Sequence, residues 1–259
     1  MKRSMRVLPL FVAAVLLATG GAGCGKNRSG DSVKKGVAAA EAGDWETALK
    51  FADRGVNESP ENIDALLLKA DSALRCQQPA EAAAAAAKAV ELAPDNFFAR
   101  YTLGIACMEI PGRKAEAKQA FKAALSLRKD DRDTLIALCN VMADTNDPEL
   151  LNYLNKLKKR DPKFAENSAA FHNQKGVALL RSNPEMALMN FDKALKLDGK
   201  LTDPAIVYNA ACAYDRYRPS ARQTTVKLYR RYLHLAKNDK SAARLRAQVR
   251  ERLNELTGR

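Results

Sequence analysis

Aromatic residues are scarce in this chain: eight Phe, seven Tyr and one Trp make up 6% of 259 residues. Sheets favour aromatic and β-branched side chains, whereas the Ala, Leu, Lys and Arg abundant here favour helix, so a β-protein is disfavoured. Histidine is scarcer still. His172 and His234 are the only two, and neither belongs to a Cys/His cluster with metal-ligand spacing. There is no G-x-S-x-G elbow and no H-E-x-x-H helix. Residues 20–26 (GGAGCGK) approach a phosphate-binding loop, but Asn27 follows where Ser or Thr must hold magnesium. Convergent titratable groups, the mark of an enzyme site, are missing. No catalytic residue, metal or other cofactor is expected, and no small-molecule substrate.

Long apolar runs are absent too. Residues 7–17 (VLPLFVAAVLL) form an eleven-residue run broken by Pro9, whereas a spanning helix needs about 18 or more. Lys2, Arg3 and Arg6 precede it and the small residues 18–23 lead to Cys24, which is the layout of a removable export signal over residues 1–23. Gly21-Ala22-Gly23-Cys24 resembles a bacterial lipobox, departing from it at Gly21, where a bulky aliphatic residue is usual. The resemblance implies that Cys24 is acylated and anchors the mature chain to a membrane; ordinary secretion and an uncleaved anchor are the alternatives. It also implies an address facing the periplasm or cell surface. Glycine rather than aspartate after Cys24 favours the outer membrane. Residues 24–31 would then be the lipidated cysteine and a short tether, whose last seven residues reach at most about 25 Å.

Self-similarity at a fixed period organises the rest. Residues 43–60 (GDWETALKFADRGVNESP) place a Gly-Asp turn before a helix, small residues at Ala48, Ala52 and Gly55 along it, and Pro60 after it. The same punctuation returns 34 residues later at Ala82, Ala86, Ala89 and Pro94, and again at Leu103-Gly104, Ala117, Phe121 and Ala124. These residues resemble the tetratricopeptide repeat, W-x2-L-G-x2-Y followed by A-x3-F and P. The resemblance implies an all-α, right-handed superhelical solenoid of about six helix pairs. The repeats cover residues 32–62, 63–96, 97–131, 132–162, 163–200 and 201–238. Residues 239–259 form a C-terminal capping helix with Leu245, Val249, Leu253 and Leu256 on one face. Four cysteines remain besides Cys24, namely Cys76, Cys107, Cys139 and Cys212. On separate first helices, with axes roughly 8–10 Å apart, they are expected as small apolar packers rather than disulfides.

In the resembling family the first helix of each pair lines a concave groove that binds partners. That register puts Val33, Val37 and Ala40 on the inner face, then Leu67, Asp71 and Leu74, then Tyr101, Ile105 and Met108. Leu135, Cys139 and Met142 follow, then Asn173, Val177 and Leu180, and lastly Tyr208, Cys212 and Asp215. The middle of the stripe is apolar, which suits an apolar segment of another envelope protein. Self-packing of these residues, or occupation by the chain's own end, is the competing reading.

Charge is lopsided. The formal +13 falls to +10 once Lys2, Arg3 and Arg6 are removed, and residues 201–259 carry 13 Lys/Arg against 5 Asp/Glu. Arg216, Arg218, Arg222, Lys227, Arg230 and Arg231, interleaved with tyrosines, could grip anionic lipid or an anionic envelope polymer. The alternative is a solvated helix face with the tyrosines turned inward. The export signal argues against nucleic acid. The function expected from all this is a non-catalytic adaptor for envelope proteins, with polyanion or lipid binding as the alternative.

Overall fold

The computed structural model describes residues 28–258, and the export signal, Cys24 and the first residues of the tether lie outside them. The described residues form fourteen α-helices and no strand. They divide into two compact units, with the boundary between Val141 and Met142.

The first unit holds three successive hairpins. They pair α1 (Arg28–Glu41) with α2 (Trp45–Glu58), α3 (Ile63–Arg75) with α4 (Pro79–Leu92), and α5 (Phe97–Glu109) with α6 (Lys114–Leu127). The helix α7 (Arg132–Asp144) follows and carries the boundary. Local chemistry sets the helix starts. Asp44, Asn62 and Asn96 each accept a hydrogen bond from the backbone N–H three residues on, at 3.0, 3.1 and 3.1 Å. Gly43 and Gly112 turn the chain at φ of 79° and 85°, a region that favours glycine. In α4 the buried residues are all alanines: Ala82, Ala83, Ala85, Ala86 and Ala89. The helix α1 starts at Arg28, four residues before residue 32, so part of the expected tether is helical.

The second unit contains α8 (Leu150–Arg160), α9 (Pro162–Asn167), α10 (Ala169–Leu179), α11 (Pro184–Asp198), α12 (Pro204–Tyr217), α13 (Arg222–Leu235) and α14 (Ala243–Thr257). Hairpins α10–α11 and α12–α13 repeat the earlier design, and α14 lies on α13 through Val249 and Leu253. The short helix α9 has no counterpart in the expected repeat pattern. Asp161 caps it by accepting from Phe164 N–H at 3.0 Å, and Ser168 then caps α10 by accepting from Phe171 N–H at 3.1 Å.

In both units each first helix packs on its own second helix and on the next first helix: α1 on α3, α3 on α5, α10 on α12. The second helices make no comparable contact with one another among the described residues. Each stack is therefore shorter on the side of its first helices, which is the inner side. Charge follows the division. Residues 28–141 carry 16 Lys/Arg against 17 Asp/Glu, and residues 142–259 carry 23 against 13.

Candidate functional site: the inner helix layer

The inner face of the first unit is largely closed. Val33, Val37, Ala40, Leu67, Leu74, Tyr101 and Ile105 are all buried, and only Asp71 and Met108 of the expected stripe keep partial exposure. Val33, Val37 and Ala40 pack with Ala48 and Ala52 of α2 and with Ala65 and Leu68 of α3, and Leu67 packs with Ala85, Ala86 and Ala89 of α4 and Ala99 of α5. Leu135, Cys139 and Met142 on α7 are 0% exposed. The expected apolar surface for a partner is, at these positions, interior. Gly104 shows how tight the layer is, since a methyl there would lie 2.5 Å from Cε1 of Phe121.

Asp71 is the polar exception. Its Oδ1 lies 3.8 Å from Arg75 Nε, and Oδ2 is buried with no hydrogen-bond partner among the described residues. Burial raises the Asp71 carboxyl above the usual carboxylate range, with Arg75 opposing. The Arg75 guanidinium in turn lies over the Trp45 ring, 4.9 Å from its centroid.

The second unit presents a more polar and more open inner face. Asn173, Val177, Tyr208, Cys212 and Asp215 are all partly exposed. Asn209 Nδ2 donates to Asn173 Oδ1 at 3.1 Å, which ties α12 to α10. The Tyr208 and Tyr232 rings lie 5.1 Å apart, and Tyr229 OH donates to Asp215 Oδ2 at 3.2 Å. Burial raises the Tyr208 and Tyr229 hydroxyls, so both are neutral donors at ordinary pH. Asp215 is already engaged. Arg252 of α14 forks onto it with Nε to Oδ2 at 2.9 Å and Nη2 to Oδ1 at 3.0 Å. The chain's last helix thus reaches one residue of the expected stripe.

Two residues of this face lie outside the stripe expected from sequence. Asn209 adjoins Tyr208 in the stripe, and an amide beside a stripe residue was the available signal. Arg252 gave none, because nothing local to α14 names Asp215 as its partner.

Some cations of the basic end have partners within the chain. Arg231 donates from Nε to Leu201 O at 2.8 Å and from Nη2 to Lys200 O at 3.0 Å, and Arg222 Nε donates to Leu256 O at 2.6 Å. Arg216 lies over Tyr217 and Arg218 over Tyr214. Arg216, Arg218, Arg222, Lys227 and Arg230 are all exposed, while Tyr214, Tyr229 and Tyr232 are buried. The tyrosines of this end thus turn inward, and five of its six cations keep solvent exposure.

The four cysteines are unpaired thiols, and Cys107 and Cys139 are buried. His172 is also buried, with Nδ1 3.1 Å from Asn190 Oδ1 and Nε2 3.2 Å from Glu166 O, so it is a structural link rather than a solvated residue. Among the described residues no group of three or more His, Cys, Asp or Glu could hold a metal ion, and no helix is long and apolar enough to cross a membrane.

No protein-family model matches the chain, and no curated protein matches it by sequence. Solved structures do match. MamA aligns with a TM-score of 0.58 and 21% identity over 66% of this chain and 92% of its own. YrrB, described as a TPR protein with an unusual peptide-binding site, aligns at 0.53 and 21% over 76% and 97%. The Cut9–Hcn1 hetero-tetramer of the APC/C aligns at 0.60 and 16% over 93% of this chain and 45% of that one. At these identities the likeness is one of fold: paired helices stacked as in tetratricopeptide-repeat proteins.

Proposed function

From a tetratricopeptide-type fold with a closed, apolar inner face in one unit and an open, polar one in the other, we propose a non-catalytic scaffold. Its binding surface is the inner face of α10 and α12, where a segment of another protein is held. The observation that carries this reading is the Asn173–Asn209 pair, flanked by the accessible Val177 and Tyr208. Each carboxamide offers two donors and one oxygen acceptor with two lone pairs, so groups remain beyond their mutual bond for an incoming backbone. Tyr208 and Val177 supply apolar contact on either side. The peptide-binding site named for YrrB supports the reading by analogy of fold.

The finer reading places this scaffold at a cell envelope. The sequence of residues 1–24 supports an acylated Cys24 and envelope proteins as partners. With α1 beginning at Arg28, the tether is shorter than seven residues, which would hold the first hairpin close to the membrane.

The test is photo-crosslinking in intact cells from position 177, compared with position 227 on the outer side of α13. The scaffold reading expects envelope proteins attached at 177, lost with Asn173→Ala/Asn209→Ala and absent at 227. Equal attachment at both positions, or attachment indifferent to the two asparagines, would overturn it. Metabolic labelling with a fatty acid, abolished by Cys24→Ser, tests the anchor separately.

A further inference from the structure

The second helices of the hairpins differ sharply in charge. With every carboxylate counted as ionised, α2, α4 and α11 each carry a net −1 and α6 a net +2, whereas α13 carries four Lys/Arg and no acid. Among the described helices only α8 matches that. Three of its four cations, Lys158, Lys159 and Arg160, crowd its last turn, where the helix dipole favours positive charge. Lys227 and Arg230 lie in the middle of α13, where the dipole accounts for nothing. The buried Thr225, Leu228, Tyr229 and Tyr232 set the core side of this helix. At 100° per residue the opposite side carries Gln223, Lys227, Arg230 and His234, all exposed. Acids close by in the chain do not offset these cations. Residues 218–258 hold 11 Lys/Arg against 3 Asp/Glu, and adding Asp215 and Arg216 of α12 leaves the excess unchanged. Glu255 pairs with Arg252 at 2.5 Å and Asp239 accepts from Ser241 N–H at 3.0 Å, and neither contact involves Lys227 or Arg230.

We infer that the outward face of α13 rests on an anionic lipid surface, with Lys227 and Arg230 at acidic headgroups and no side chain inserted among the acyl chains. Charge complementarity is the first reason. The second is what the face lacks. The large apolar side chains most exposed among the described residues, Leu92, Met186, Met189 and Leu197, all lie outside residues 218–258. A protein interface needs an apolar or aromatic centre, so a protein partner is poorly served here. Tyr229 and Tyr232 are buried beneath the face, which is the outside of a helix. It therefore offers neither the stacking rings nor the groove that hold a single nucleic-acid strand. A lipid surface asks for neither, since each Lys or Arg near it adds its own attraction. The choice of lipid over another polyanion rests on the reading of Cys24 as an acylated anchor. Such an anchor keeps a membrane within reach, and a cationic patch adds the second signal that stable attachment takes. The lipid alternative read from the sequence is thereby narrowed to one helix face.

The experiment places a single tryptophan in the full chain. Trp45→Phe is combined with Gln223→Trp on α13, or with Asn155→Trp on α8 as the comparison. Vesicles of phosphatidylglycerol and phosphatidylcholine carrying a headgroup spin label are then added. The expected result is quenching at position 223 and none at 155. Lys227→Glu/Arg230→Glu in the same background should lower the partition coefficient read at position 223 at least roughly tenfold, as high salt should. Lys158→Glu/Lys159→Glu makes the same change of charge on α8 and should lower it less than about twofold. The quenching is local, so vesicle binding through residues 1–27 alone leaves position 223 unquenched and overturns the inference. Equal quenching by vesicles of phosphatidylcholine alone, equal quenching at 155, or equal losses from the two charge reversals would also overturn it. Tighter binding of inorganic polyphosphate than of vesicles, compared per phosphate, would do the same by marking a polymer site. An unquenched position 223 in a chain that still takes a fatty-acid label at Cys24 would remove this surface and leave the anchor standing.

Discussion

Gly176 on α10 meets one edge of the Phe191 ring on α11: a methyl group at Gly176 would lie 2.7 Å from Cε1 and 2.8 Å from Cζ of that ring. Gly104 and Phe121 stand in the same relation in the first unit, at 2.5 Å. The corresponding repeat positions hold Ala70 with Ala86, and Ala211 with Tyr229, so glycine is not present in every repeat.

Gly176→Ala and Gly104→Ala are expected to destabilise by about 1–3 kcal/mol through overpacking. Helix propensity alone predicts the opposite sign, a gain of about 1 kcal/mol. Chemical denaturation decides between them. Adding Phe191→Leu to Gly176→Ala should recover most of the loss, because the ring edge is what the methyl meets.

Met142→Ala is expected to cost about 2–5 kcal/mol, the range for a large buried apolar side chain. Met142→Asp should leave the second unit unable to fold cooperatively, as seen by loss of a sharp melting transition. A well-folded Met142→Asp protein would restore the possibility of an open apolar groove there.

Arg252→Ala should act locally. Arg252 is partly exposed, so its pair with Asp215 contributes only about 1 kcal/mol to global stability. It is also a direct link between α14 and the inner face. Hydrogen exchange should therefore accelerate across Ala243–Thr257 and hardly elsewhere. Uniform acceleration over the whole chain would contradict this.

The thiols report on pH. Burial pushes Cys107 up to about 11 and Cys139 up to about 12. At pH 8 both should resist a thiol reagent until the chain unfolds. Their folded-state pKa values exceed the unfolded value of about 8.5, so the stability linked to them is whole below that pH. It should erode as pH rises from there towards 11 to 12, where the folded thiols also ionise. Cys107→Ala/Cys139→Ala should flatten that slope in a pH series of denaturation curves.

Asp71 slopes the same way at lower pH. Its carboxyl is raised by burial, so the folded state holds the proton more firmly than the unfolded chain. Stability linked to Asp71 is present at acid pH and is lost as pH rises through the shifted carboxylate range. Asp71→Asn should remove this loss, giving a melting temperature at neutral pH equal to or above that of the unaltered protein. A lower one would mean that the ion pair with Arg75 outweighs the desolvation of the carboxylate.

Much of the helix pairing was readable from residues near one another in the chain. Asp44, Asn62, Asn96 and Asn183 cap helices with their own third neighbours, and Gly43 and Gly112 turn where their φ requires it. The candidate site was readable only in part. The same 34-residue spacing that places Leu67, Tyr101 and Leu135 on first helices says nothing about how closely those helices approach. No local pattern announces that His172 is buried and linked to Asn190 of α11 and Glu166 of α9. The short α9 escapes a sequence reading because its six residues are too few to show a period.

The amino-acid sequence by itself determined that this chain is helical and where its hairpins turn, because caps and turns act between near neighbours. Only the tertiary structure decided which inner residues meet solvent. Accessibility depends on the volumes of side chains about 34 residues apart, on the closeness of neighbouring first helices and on distant pairings such as Arg252 with Asp215, and no local pattern encodes these.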